Sequence, residues 1–135
     1  MLKTVMDAIA AELVTDVGAT FRVTAWPAEN PTPPYAIVGY PTEFQYNVAF
    51  HGVGTTGKQR AVFPIRYVVG RMWGQATRDA ISALVTGSPG IPESLGGNLA
   101  GACDTALVSD APRFEVENIG GVDYQAVVFD LEVIG

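Results

Sequence analysis

The hydrophobic period of this chain changes once and cleanly, between Ala61 and Val85 (AVFPIRYVVGRMWGQATRDAISALV). Up to Val69 the period is two. Ala61, Phe63, Ile65, Tyr67 and Val69 share one face of an extended strand, with Pro64 and Arg66 among the alternates. From Trp73 onward the period is helical: Trp73, Thr77, Ala80, Ile81, Leu84 and Val85 recur at spacings of three and four, with Arg78, Asp79 and Ser82 turned outward. A strand therefore feeds a helix through Gly70 to Gly74. Trp73, Ile81 and Leu84 are expected in the core, each contributing about 1.5–3 kcal/mol when fully buried. Pro64 lacks a ladder donor, which predicts an edge position or a bulge.

Before this stretch, Leu2, Val5, Met6, Ile9, Leu13 and Val17 form one helical stripe, with Lys3, Asp7, Glu12 and Asp16 on the other side. Thr4 and Asp7 have capping-box spacing, Lys3 and Asp7 sit at i and i+4, and Gly18 is placed for a left-handed cap. Thr20 to Trp26 alternates as a strand. Pro27, Pro31, Pro33 and Pro34 then exclude regular structure and predict a stiff connector into a strand over Tyr35 to Gly39. Pro31 and Pro34 also satisfy a PxxP pattern, which a rigid loop explains equally well. Glu43 to Phe50 alternates most regularly, with Phe44, Tyr46, Val48 and Phe50 on one face. It predicts a hairpin with the strand from Ala61, closed by the long loop HGVGTTGKQR.

After the central helix, Gly87 to Gly101 is punctuated by glycine and proline, with room for a short helical turn near Glu93 to Leu99. Asp104 to Ser109 reads as a strand, and Arg113 to Ile119 pairs with Val122 to Ile134 across Gly120 and Gly121. The last strand changes its apolar face midway, from Val122, Tyr124, Ala126 and Val128 to Val127, Phe129, Leu131 and Val133. A bulge near Ala126 or burial on both faces accounts for this, and either makes the strand central. The predicted fold is α+β: a mainly antiparallel sheet of about four to six strands, with an N-terminal and a central helix packed on one face.

The 135 residues suit one domain spanning 1–135, and with 48% hydrophobic but only 16% charged residues the chain is poor in charge for a free monomer, which predicts buried subunit contacts. The net charge of −6 argues against a general nucleic-acid binder. Charge is also unevenly placed. Five of the eight basic residues (Lys58, Arg60, Arg66, Arg71, Arg78) fall in an acid-free window, whereas seven acids from Asp104 onward face Arg113 alone. Opposite-signed surfaces would suit head-to-tail association into rings. Cys103 is the single cysteine and cannot form an internal disulfide. Asp7 and Glu12 interrupt the apolar N-terminus and no run approaches a membrane span, so a soluble, unprocessed protein is expected.

Candidate chemistry is sparse. Gly52, Gly54 and Gly57 spell GxGxxG, and Gly52 to Lys58 match the start of a P-loop. Gln59 replaces the Ser or Thr that holds magnesium, and a strand, not a helix N-terminus, follows. A flexible cationic hairpin tip that orders against a partner fits better. His51 and Cys103 are each single of their kind, and no ligand cluster has metal spacing. No catalytic, cofactor or metal residue is assigned. Loop position and charge instead nominate an assembly interface at Thr55, Thr56, Lys58, Arg60, Arg66 and Arg71.

The layout and several phrases, PPYAIVGYP, FPIRYVVGR followed by a helix, LAGACDTALVSD and GGVDYQAVVFDLEVIG, resemble the tail terminator (tail completion) proteins of long, non-contractile-tailed bacteriophages. The resemblance spans nearly the whole chain and rests on structural motifs. It implies a minor tail protein of the virion, assembled in the host cytoplasm. Such a subunit forms a six-membered ring with copies of itself on the tail tube protein, ends tube polymerisation and offers the joining surface for the head–tail connector protein. DNA would pass through the bore without specific binding, and no membrane, cofactor or enzymatic activity is implied. The rival readings are another neck component, such as a head-closure or connector subunit, and, from a different class, a small nucleotide-binding enzyme using the Gly52 to Lys58 loop.

Overall fold

A computed structural model describes residues 2–18, 21–27, 32–46, 59–86, 95, 97, 99, 101–109 and 111–135. In chain order the elements are α1 (Leu2–Val17), β1 (Arg22–Thr24), β2 (Tyr35–Val38), β3 (Glu43–Gln45), β4 (Arg60–Arg71), α2 (Gln75–Thr86), β5 (Thr105–Val108), β6 (Arg113–Ile119) and β7 (Val122–Ile134). This is an α+β fold with one mixed sheet of seven strands, a little more than the four to six expected. The sheet runs β1-β2-β4-β7-β5, with β3 also on β4 and β6 also on β7. Among the described residues only β1 and β2 pair in parallel. Each of the seven overlaps a segment that the sequence marks as extended, so the count of four to six is lower than the number of those segments; β1 and β3 are three residues each among the described residues.

β4 and β7 form the spine, paired from Arg60↔Ile134 to Arg71↔Tyr124. Their period-two faces explain the core. Ala61, Phe63, Ile65 and Tyr67 of β4 and Val127, Phe129, Leu131 and Val133 of β7 point to the helix side, where Val5, Ile9 and Leu13 of α1 complete the cluster. The opposite face buries a smaller group, Tyr35, Val68 and Ala126, with Ile37, Ile119 and Tyr124 against it, and also Val128. Burial on both faces at Ala126 to Phe129 accounts for the switching pattern of the last strand. The bulge itself lies on β4, between Val68 and Gly70, not in β7.

Several expectations need correction. Trp73 is not a core residue: it sits in the turn before α2 and is 88% exposed, because the helix begins only at Gln75. The Gly74 carbonyl accepts the first helical bond, from the Arg78 amide at 3.2 Å, and so takes the N-cap position. Pro64 is not on an edge strand, since β4 is flanked on both sides. It falls in the gap where β2 has ended at Val38 and β3 has not begun at Glu43, and its carbonyl accepts from the Gly39 amide at 2.8 Å. The missing donor is therefore tolerated locally. Gly18 does not adopt the left-handed cap. Its amide still bonds the Val14 carbonyl at 3.0 Å, and the close approach of that carbonyl leaves no room for a Cβ. Thr4 lies inside α1 and so caps nothing, whereas Lys3 and Asp7 do pair, at 2.7 Å.

The antiparallel contact of β3 with β4, Glu43↔Val62 to Gln45↔Arg60, matches the expected hairpin. Residues 47–58, which include most of its loop, His51 and the glycine motif, are outside the described residues, as are 28–31 and most of the expected turn over 93–99. The β6–β7 turn has the predicted form, with Gly120 at φ 59° and Gly121 at φ 83°. Among the described residues no helix is long and apolar enough to cross a membrane.

Candidate functional site

The sheet face turned away from the helices carries the charge. The alternation of β4, β6 and β7 puts Arg60 and Arg66, Arg113, Glu115 and Glu117, and Asp130 and Glu132 on this one surface. Arg66 bridges two carboxylates of β6, donating from Nη2 to Glu115 at 2.8 Å and from Nη1 to Glu117 at 3.1 Å. Arg113 donates to Asp130 at 3.0 Å and lies 3.7 Å from Glu115, which extends the chain of charges. Arg60 forms a second fork, to Glu43 at 2.9 Å and Glu132 at 2.8 Å. These bonds, to Glu132 first and Glu43 second, hold its guanidinium pKa above the ordinary value.

Arg66 lines an open groove of about 640 Å³ together with Tyr35, Ile37, Pro64, Glu115, Glu117 and Ile119. Burial raises the Tyr35 hydroxyl pKa; the Glu117 carboxylate adds to the rise and the Arg66 charge opposes it. A groove of interlocked ion pairs holds fixed charge and shape, which suits recognition of a protein surface. Among the described residues no group of three His, Cys, Asp or Glu side chains could hold a metal ion.

The residues nominated from the sequence divide accordingly. Thr55, Thr56 and Lys58 lie outside the described residues. Arg60 and Arg66 come together with acids of their own chain, so the basic window and the acidic C-terminal part interleave on one face instead of forming two opposed surfaces. Arg71 stands apart at the end of β4, exposed and without an ion pair among the described residues. Beside it Trp73 projects into solvent near Gly121 and Asp123. No protein-family model matches this chain, and no curated protein matches it.

Sequence reasoning missed one feature, the open edge at β6. Among the described residues β6 bonds only to β7, and on its helix-side face Phe114 and Val116 stay 58% and 50% exposed. The alternation Arg113, Glu115, Glu117 against Phe114, Val116 was the available signal. A half-buried strand and an edge awaiting a partner share that pattern, so it could not separate them.

Proposed function

We propose that this chain is a structural subunit of a phage virion, a tail-terminator-type protein that caps the tail tube as a ring of identical copies. In that role it ends tube polymerisation and presents the surface that joins the head–tail connector, with no enzymatic step. The sequence resemblance suggests the role, and the geometry is compatible with it. The observation that carries it is the exposure of large apolar side chains: Phe114 and Val116 on β6, which among the described residues pairs only with β7, and Trp73 at 88% exposure on the β4–α2 turn. Such surface on a chain with only 16% charged residues is characteristic of a subunit awaiting neighbours. An overall charge of −6 also suits a bore that passes DNA without holding it.

Mass photometry and negative-stain imaging of the full chain, alone and mixed with tail tube protein, test the role. Rings, or caps on tube ends, are the expected result. A chain that stays monomeric under both conditions overturns it.

A further inference from the structure

We propose that β1 of one copy adds to the open edge of β6 in the next, antiparallel, so that the sheets of neighbouring copies join head to tail. This rests on the ring reading only in taking the partner to be a second copy; the joint itself is argued from the two edges. Among the described residues β1 bonds only to β2, and β6 only to β7, at opposite margins of one sheet. Strand directions alternate from β2 through β4 and β7 to β6, with β1 parallel to β2, so β6 runs opposite to β1. Copies repeated about an axis along the strands therefore meet in the antiparallel sense.

Backbone parity selects the register. The Asp130 and Ile134 carbonyls accept from Ser109 and Asp104, so the even residues of β7 bond toward the β5–β6 side. The residues of β6 opposite them, including Glu115 and Glu117, spend their bonds on β7, which leaves Val116 facing the free edge. On β1 the Arg22 amide bonds Pro34, so Val23 faces its free edge. Setting Val23 against Val116 brings Arg22 opposite Glu117 and Thr24 opposite Glu115. Both faces then match. Val23 and Val116 meet on the helix side, where Val116 is half-exposed, and on the other side Arg22, which has no ion-pair partner among the described residues, meets a carboxylate.

Two measurements on the full chain test the joint. Thr24→Cys combined with Glu115→Cys should give, on mild oxidation, a ladder of disulfide-linked species beyond the dimer; the wild type, whose single Cys103 is buried, is the blank. Arg22→Glu should weaken association about fivefold or more per joint, with recovery on adding Glu117→Lys. Oligomers that form without a ladder and ignore the charge swap overturn this joint and leave the ring reading standing. Dimers from Glu115→Cys alone overturn it in favour of β6 pairing with itself. A strict monomer, with and without tube protein, removes both.

Discussion

Tyr67 stands edge-on to Phe21 and Phe129, with ring centroids 5.6 and 5.7 Å away, and among the described residues its buried hydroxyl has no hydrogen-bond partner. Removing a hydroxyl that bonds nothing leaves no orphan behind, so Tyr67→Phe should keep or raise the melting temperature. The same residue sets an alkaline limit. Burial, reinforced by the Asp16 charge, raises the Tyr67 pKa far above 10.0, and burial raises that of Tyr35 as well. Below pH 10 both are neutral, folded or unfolded; above it the unfolded chain loses its protons first, so stability should fall with rising pH. Denaturant titrations at pH 8 to 11 should show that fall, and Tyr67→Phe should make it shallower. Gly70 is fixed by a close approach, since a Cβ there would overlap Thr77 Oγ1. Gly70→Ala should cost about 1–3 kcal/mol, largely recovered by adding Thr77→Ala. The sequence disclosed Tyr67 as core through its period of two. It could not disclose that Trp73 is exposed, because the helical spacing continues one turn upstream of where α2 begins.

Among elements, the β6–β7 hairpin was the most legible, because two adjacent glycines between alternating strands permit the turn that the right-handed twist favours. Gly120, at φ 59°, lies where Asn is also at ease, whereas Gly121 at φ 83° suits no β-branched residue. Gly120→Asn should therefore leave thermal unfolding nearly unchanged, and Gly121→Val should lower stability by about 1 kcal/mol or more. Pro64 was legible as an interruption and misplaced as an edge. A proline reports only that its own donor is missing, while the tertiary path of the chain from Gly39 to Thr42 decides where that is harmless. Of the two explanations for the switching face of the last strand, burial on both sides holds: β7 carries the doubled burial, and the extra residue lies on β4, across from Ala126.

Across the whole molecule the interleaved charges change how Arg66 and Arg71 should be tested. Arg66 holds two carboxylates of its own chain, each about one-third exposed (34% and 37%), so Arg66→Ala leaves them side by side and should cost about 1–2 kcal/mol after solvent screening. Urea unfolding at low and high salt should show that loss shrinking as salt rises. Arg71→Glu perturbs no ion pair among the described residues. It should leave the fold intact, and any loss of ring formation would report on assembly alone. Charge and loop position nominate Arg60 and Arg66 for an assembly interface; that both pair with acids of their own chain was not legible in the sequence.

Periodicity alone determined the α+β class, the strand-to-helix switch at Gly70 to Gly74 and the apolar faces of β4 and β7, because burial on one side imposes a period that local spacing records. Only the tertiary structure decided which charges meet, which strand is left open and where Pro64 falls. Each depends on pairings between residues far apart in sequence, such as Arg66 with Glu117 or Pro64 with Asp130, and spacing along the chain carries no record of them.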